Sequence, residues 1–221
     1  MWQALQAELA DTNFLVITVA LETRGVETAL PYIEAAKPTH PSLIDREHEV
    51  ARLYGMINVP NAVWIDEEGL IVRPSETAGT NDSFRSMDRT NGRMPEDDLA
   101  SLRAARAAYL EGLRDWARRG SESPWALAPA EVRRRLRGTT PEQALARAEF
   151  TLGEYLWQRG DGERARAHFD EAVRLHPESW AYRRQAWDLE QIGKSGGPEF
   201  WAAVEALGDT EYYPAFEAPK P

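Results

Sequence analysis

The segment at residues 55–69, Gly-Met-Ile-Asn-Val-Pro-Asn-Ala-Val-Trp-Ile-Asp-Glu-Glu-Gly, constrains the fold more than any other part of the chain. Gly55 ends a helical pattern, and Pro60 stands at the start of an apolar run with the composition of a strand. The acidic stretch 66–69 that follows is a short turn, in which the glycine can supply the positive φ that a tight hairpin needs. The segment therefore predicts a helix, a proline loop and a β-hairpin in immediate succession.

The first third of the chain alternates helical and strand patterns. Residues 14–21 form a continuous apolar run, which is typical of a strand buried on both faces of a parallel sheet. A short extended piece is expected at residues 42–44, and hairpin strands at 62–65 and 70–72. These patterns predict an α/β region at residues 1–73. Three helical patterns accompany the strands, with apolar positions at Trp2, Leu5 and Leu9, at Val26, Leu30 and Ile33, and at Val50, Leu53 and Tyr54.

This order of elements resembles the thioredoxin-like superfamily, in particular the redoxins and the TlpA/ResA-type disulfide reductases. The most specific similarity is to that family's Gly-x-x-x-Val-Pro-Thr segment and the hairpin and Asp-x-x-Gly turn after it. Asn61 stands where threonine is commoner. The resemblance covers residues 1–73, and it implies a cis peptide bond before Pro60. It also implies that the main chain of Val59 pairs with an extended substrate segment.

The residues by themselves leave two interpretations of Pro60 open. A cis turn leaves the preceding peptide group pointing outward, where it can pair with another chain. A trans proline merely begins a strand, where its missing N–H does no harm. The predicted partner-binding residues are Val59, Pro60 and Asn61, and the predicted partner is a protein or peptide.

The chain contains no cysteine, which excludes a disulfide, a thiolate nucleophile or a Cys-ligated zinc within it. In the family that it resembles, a first strand ends in Cys-x-x-Cys at the start of a helix, whose dipole lowers the thiol pKa. Residues 1–10 resemble the remainder of that helix. Two interpretations stay open: a longer reading frame that encodes the strand and the cysteines, or a degenerate member whose sheet is closed up or completed by another chain. As given, the chain is expected to have no catalytic residue and no thiol activity.

The composition changes after the α/β region. Residues 74–94 are polar and lack a sustained period, which predicts a linker that is either passive or folded over a site. Residues 95–137 carry an apolar stripe at spacings of three and four that ends near Gly120, and a second helix follows Pro129. The stripe is expected to pack within the molecule.

The last part, residues 138–221, begins with a helix start at Thr140, where Pro141 suits the first turn and Gln143 completes a capping box. The segment from 146 to 179 resembles a tetratricopeptide repeat. The matching positions are Leu152, Gly153, Leu156, Ala165, Phe169, Ala172 and Pro177. The resemblance implies two packed helices, which serve either to recognise a partner or only as structure.

A single repeat does not bury enough surface to be stable alone, so it is expected to pack on the helices at 95–137 and on the α/β region. The aromatic tail at residues 212–217 either folds back over apolar surface or stays free to dock. The predicted fold class is α/β followed by all-α. In finer terms it is an incomplete thioredoxin-like fold followed by a helical domain with tetratricopeptide-like helix pairs.

Charge and motif content limit the classes of partner and ligand that can be expected. The net charge of −10 argues against a nucleic-acid partner, which needs a concentrated basic surface, and the arginine-rich stretch 133–137 is expected to be a solvated helix face. The longest apolar run is about half of a membrane span, and no signal peptide is recognisable, so no membrane contact and a cytoplasmic location are expected. His40 and His48 are expected on a helix surface or in a loop and not in a metal site. For His168 and His176, no carboxylate is expected in an arrangement that would bind a metal. No metal and no cofactor is therefore predicted.

Overall fold

The computed structural model describes residues 1–136 and 138–219. The chain folds into a mixed α/β region followed by a helical region, which confirms the coarse fold class. Three short 3₁₀ turns lie at Asp82–Ser86, Gly120–Glu122 and Lys194–Gly196. The helices and strands, in chain order, are α1 (Trp2–Glu8), β1 (Thr18–Leu21), α2 (Val26–Ala36), β2 (Ser42–Asp45), α3 (Glu49–Tyr54), β3 (Asn61–Ile65), β4 (Ile71–Thr77), α4 (Glu96–Arg119), α5 (Pro129–Arg135), α6 (Pro141–Gln158), α7 (Gly162–Leu175), α8 (Trp180–Glu190) and α9 (Pro198–Glu205).

The four strands form two separate pairs. β1 and β2 are parallel, with Val19 opposite Leu43. β3 and β4 are the predicted antiparallel hairpin, with irregular register on both sides of Trp64. β4 continues to Thr77, so the segment predicted as a linker at residues 74–94 begins inside a strand.

The apolar run at residues 14–21 is not buried on both faces, and that expectation was wrong. Only Thr18–Leu21 forms a strand, while Leu15 and Ile17 before it are 57% and 55% exposed. A two-stranded sheet is too narrow to be covered on both faces in the way that a wide parallel sheet is. For the same reason α2 leaves Val26 and Leu30 exposed and buries Ala29 instead.

α1 and α4 cover β3. Leu5 and Leu9 from α1, Trp64 from β3, and Tyr109 and Leu113 from α4 form one buried cluster. The indole Nε1 of Trp64 donates to the hydroxyl of Tyr109 at 2.8 Å, so the polar atoms of both rings are satisfied inside the cluster. The apolar stripe predicted on this helix therefore packs within the molecule.

The helix hairpin of α6 and α7 begins and ends as its sequence predicts. Thr140 Oγ1 accepts from the Gln143 main-chain N–H, and Gln143 Oε1 accepts from the Thr140 N–H, which is the predicted capping box. α7 ends at Leu175, shortly before Pro177. Proline cannot continue a helix, so this end is set by the local sequence.

The seam between α6 and α7 is tightly packed. A Cβ atom added at Gly153 would lie 2.6 Å from the Phe169 ring, so the helices cross closely at this glycine. Phe150 and Phe169 meet at 5.4 Å between ring centroids, and both are buried. Leu152, which the resemblance includes, is exposed on the outer side of the hairpin.

The helical region packs on the α/β region through largely polar contacts. The Thr23 hydroxyl, just after β1, donates to Glu154 at 2.6 Å, and the Thr23 N–H lies 3.4 Å from Gln185 Oε1. The His48 ring lies 5.2 Å from the ring of Phe150. The hairpin is thus docked on the α/β region, one of the two packing partners expected from the sequence.

Candidate functional site

The proline loop joins α3 to β3. The Val59–Pro60 peptide bond is cis, in agreement with the resemblance. The Pro60 carbonyl accepts from the Ala78 N–H at 3.0 Å, which starts the β3–β4 ladder. Val59 and Pro60 are exposed, whereas Asn61 is half-buried with its side chain 2.9 Å from the Ser75 hydroxyl. The three predicted binding residues therefore lie together at the surface end of β3.

The main-chain groups of Val59 already have partners within the chain. Its N–H donates to Asn58 Oδ1 at 2.8 Å, and its carbonyl accepts from the Tyr213 hydroxyl at 2.9 Å. Asn58 Nδ2 in turn donates to the Tyr212 carbonyl at 3.1 Å. The aromatic tail thus folds back, as one of its two expected arrangements, and it contacts the loop that was predicted to bind a partner.

One edge of β1 has no neighbouring strand. Thr18 donates its N–H to the Pro41 carbonyl at 3.0 Å, toward β2. Because main-chain groups alternate sides along a strand, Val19 and Leu21 point their N–H and C=O groups away from β2. Within residues 1–136 and 138–219 these groups have no hydrogen-bond partner.

β3 has a free edge of the same kind. Just after β3, the Asp66 N–H donates toward the β4 side, to the carbonyl of Leu70 just before β4, at 2.9 Å. By the same alternation, Val63 and Ile65 point their main-chain groups away from β4. These groups too lack a partner in the part of the chain that the structure describes.

The segments that carry the free edges of β1 and β3 approach each other at both ends. At one end, Leu21 and Val59 line the same cleft. At the other end, Asn13 Nδ2 lies 3.4 Å from Glu67 Oε1. Unpaired strand edges are templates for pairing with another chain, so this part of the molecule can accept an extended segment as an added strand.

The cleft between the end of β1, the proline loop and α8 has a volume of about 140 Å³. Its polar lining consists of Glu22, His48, Asn58, Arg184, Gln185, Asp188 and Ser195. His48 is 1% exposed, and neither ring nitrogen has a partner among the described residues. Burial lowers the pKa of His48 to about 4, so the imidazole is neutral near pH 7 and offers one donor and one acceptor.

Glu154 lies between the two regions, a short distance behind this cleft. Burial raises the pKa of its carboxyl to about 7, against the opposing effect of the hydrogen bond from Thr23. Arg147 also favours the charged form, whereas Glu47 and Asp45 disfavour it. The sequence offered no signal for this group, because its burial depends on how the helical region docks.

His40 and His48 lie in loops, one of the two expected places, and both are buried there. His168 Nδ1 lies 2.6 Å from Glu149 Oε2, a carboxylate contact that the sequence did not indicate because 19 residues separate the two. No group of three or more His, Asp or Glu that could hold a metal ion occurs in the described ranges.

The arginine-rich helix end is balanced by acidic neighbours, as predicted. Arg134 and Arg135 both pair with Glu131, and Arg135 also pairs with Glu217. Arg137, the last residue of that stretch, lies outside the described residues. Arg134 and Arg135 are therefore engaged within the chain.

Comparison with known proteins adds no relative: no protein-family model, no curated protein and no solved structure matches the chain. The fold defines a mixed α/β region with a helical region docked on it. Among the helices that the structure describes, none is both long and apolar enough to span a membrane. The function therefore has to be argued from the geometry of the free edges, the proline loop and the cleft.

Proposed function

We propose that this chain is a thioredoxin-like protein without thiol chemistry of its own, and that it binds an extended protein segment beside its proline loop. The segment adds as a β-strand to the free edges of β1 and β3. One observation carries the proposal, the row of unpaired main-chain groups at Val19, Leu21, Val63 and Ile65. Main-chain pairing supplies affinity with little dependence on the partner's sequence.

Exposed apolar side chains beside β1 support the same role. Leu43 lies opposite Val19, so it shares a sheet face with Ile17, two residues before Val19. Leu15, Ile17 and Leu43 are all more than half exposed. A bound strand whose alternate side chains are apolar would cover this face, and those side chains would provide specificity.

The helical region contributes to this site through α8. The Ala181 N–H donates to the Ile57 carbonyl at 2.9 Å, which fixes the start of α8 against the proline loop. Trp180 and Arg184 line the cleft at the end of the free edges. We assign the helix hairpin the role of a scaffold that holds α8 in this position.

Charge favours a neutral or basic partner. The protein carries a net charge of −10, and the turn after β3 contains Asp66, Glu67 and Glu68. An acidic segment would be repelled on approach, whereas a basic one would be attracted. A suitable probe is thus a short β-forming peptide with lysine at both ends.

The test is fluorescence anisotropy with the labelled nonapeptide Lys-Thr-Val-Thr-Val-Thr-Val-Thr-Lys. The matched control peptide has proline at the three valine positions, which keeps length and charge but removes three N–H donors. We expect saturable binding of the first peptide. Because each hydrogen bond contributes about 0.5–1.5 kcal/mol, the proline peptide should bind at least about tenfold more weakly.

A pair of protein variants locates the site. Ile17→Lys places a charge along the free edge of β1 and is expected to weaken binding of the lysine-ended peptide. Leu152→Lys makes the same change on the outer side of the helix hairpin, at a side chain that is also exposed, and should leave binding unchanged. Equal binding of both peptides, or equal loss in both variants, would contradict the proposal.

A second candidate is thiol–disulfide exchange, in which the strand that pairs with β1 and β3 carries Cys-x-x-Cys. The same free edges favour it, because in the family that the sequence resembles a strand ending in that motif is central to the sheet. This chain has no cysteine, so the thiols would have to come from a segment outside it. Intact mass and thiol titration of the protein from its own cells decide the matter. Two titratable cysteines would support this candidate, and their absence would end it.

A further inference from the structure

We propose that residues 209–217, here called the strap, regulate the strand-binding site by competing for its main chain. The inference rests on the proposed function. In the protein without a partner, the Tyr213 hydroxyl donates to the Val59 carbonyl, which an N–H group of the incoming strand would otherwise reach. The strap then has to release Val59 before a partner can pair along the full edge of β3.

The contact at the proline loop is the core of the argument. Tyr213 donates its hydroxyl to the Val59 carbonyl at 2.9 Å, and Asn58 Nδ2 donates to the Tyr212 carbonyl at 3.1 Å. Val59 lies two residues before β3, and its carbonyl bonds to the strap rather than to β4. A strand that follows the free edge of β3 reaches Val59 at its end and meets the Tyr213 side chain there.

The N-terminal part of the strap is held by the 3₁₀ turn at residues 82–86. The Asp82 carboxylate accepts the Tyr212 N–H at 2.9 Å and the Tyr213 N–H at 2.6 Å. Arg85 donates to the Gly208 carbonyl at 2.9 Å, just before the strap begins. Part of the segment predicted as a linker therefore holds the strap, so that segment is not a passive connection.

At the C-terminal end of the strap, Phe216 packs among side chains of the core. Its ring lies 4.8 Å from Tyr109 and 5.4 Å from Trp125, and the Arg73 guanidinium lies 4.7 Å from it. Arg73 Nη2 also donates to the Glu217 carbonyl at 3.0 Å. Both ends of the strap are thus tied to the folded protein by several contacts. The Tyr213–Val59 contact is a single neutral hydrogen bond, so it can open while the strap stays attached.

The test uses Tyr213→Phe, which keeps the ring packed against Phe84 and removes only the hydroxyl. The matched control is Tyr155→Phe, which removes the hydroxyl of an exposed tyrosine on the helix hairpin. With the lysine-ended nonapeptide as probe, we expect Tyr213→Phe to bind about 2- to 10-fold more tightly than the wild type, as the loss of one competing hydrogen bond requires. Tyr155→Phe should bind as the wild type does.

A second variant tests the anchor independently. Asp82→Asn removes the charge that strengthens the hydrogen bonds to both strap amides, and it is expected to shift peptide affinity in the same direction as Tyr213→Phe. If the peptide binds with one affinity to the wild type, Tyr213→Phe and Asp82→Asn, the strap is not a regulator, while the strand-binding function stands. If the peptide binds to none of the folded proteins, the proposed function fails and the regulatory role fails with it.

Discussion

The helix hairpin and the α/β region are stabilised in opposite ways. In the hairpin, Ala146, Phe150 and Ala172 are fully buried in one continuous apolar cluster. In the α/β region, apolar side chains such as Leu15 and Ile17 remain exposed beside unpaired strand edges. The helices of the hairpin pair their main-chain groups internally, although Leu152 and Tyr155 stay exposed, whereas the α/β region has both unpaired main-chain groups and exposed apolar side chains. This difference is the reason why we propose the binding site in the part of the fold whose strand edges are unpaired.

Buried charge is the second difference. Arg73 in β4 is fully buried and donates to both carboxylate oxygens of Glu76 at 2.8 Å, while its guanidinium lies over the Trp64 ring. A buried ion of this kind is tolerated only when it is paired and hydrogen-bonded. The interior of the α/β region thus relies on polar groups that must keep their partners, whereas the seam between α6 and α7 relies on the shapes of apolar side chains.

The largest expected effect is the difference in stability loss between a core variant of the hairpin and a surface variant of the α/β region. Phe150→Ala removes a fully buried ring from the hairpin and should lower the free energy of unfolding by about 3–5 kcal/mol. Leu43→Ala removes a half-exposed side chain from β2 and should change it by less than about 0.5 kcal/mol. Urea denaturation followed by circular dichroism measures both. Equal losses in the two variants would mean that the two regions do not differ as described.

The next effect concerns the interface between the regions. Because burial raises the pKa of Glu154 from 4.5 to about 7, the native state keeps a proton that the unfolded chain loses as the pH rises from 4.5 to 7. Stability from this group is thus lost over that window, by up to about 3 kcal/mol. Glu154→Gln cannot titrate, so its stability relative to the wild type should rise by up to that amount between pH 4.5 and pH 8.

Urea denaturation of both proteins at the two pH values measures this difference. The pKa of His48 is lowered to about 4, so its contribution to the free energy of unfolding is lost as the pH falls from 6.5 to 4, in the direction opposite to that of Glu154. The pH dependence of the wild type alone therefore conceals the contribution of Glu154. The difference between variant and wild type at each pH removes that contribution. A difference that stays constant from pH 4.5 to pH 8 would show that Glu154 is not buried between the regions.

The smallest effect tests how closely the two helices of the hairpin approach. Gly153→Ala places a methyl group 2.6 Å from the Phe169 ring, and such overpacking costs about 1–3 kcal/mol. Gly162→Ala, at the first residue of α7, meets no atom within 4 Å and should gain up to about 1 kcal/mol by restricting the unfolded chain. Thermal unfolding compares the two. If Gly153→Ala proved as harmless as Gly162→Ala, the seam would be looser than described.

Local signals in the sequence predicted most of the elements. The capping box at Thr140, the helix end at Gly55 and the hairpin after Pro60 depend on residues within a few positions of one another, so they could be recognised directly. The burial of residues 14–21 was wrong because it depends on a neighbouring strand, which no local pattern encodes. Composition alone cannot distinguish a strand in a wide sheet from one in a narrow pair.

The candidate site was predicted in part. Val59, Pro60 and Asn61 do lie together at the surface, and their role in binding stays a prediction. The strap on Val59 was foreseen only as one of two fates for the tail, because Val59 and Tyr213 are 154 residues apart. The burial of His48 and of Glu154 likewise results from contacts between elements that are far apart in the sequence. Such contacts cannot be recognised from a single sequence.

In the proposed regulation, the strap sets an equilibrium threshold for any partner. Tyr213 is tethered beside Val59 and never diffuses away, so it competes at an effective concentration that for short connections is on the order of millimolar. A partner free in solution cannot match this by abundance. It has to win through several hydrogen bonds formed together along the edge, so segments too short to span β3 are filtered out and longer ones are retained.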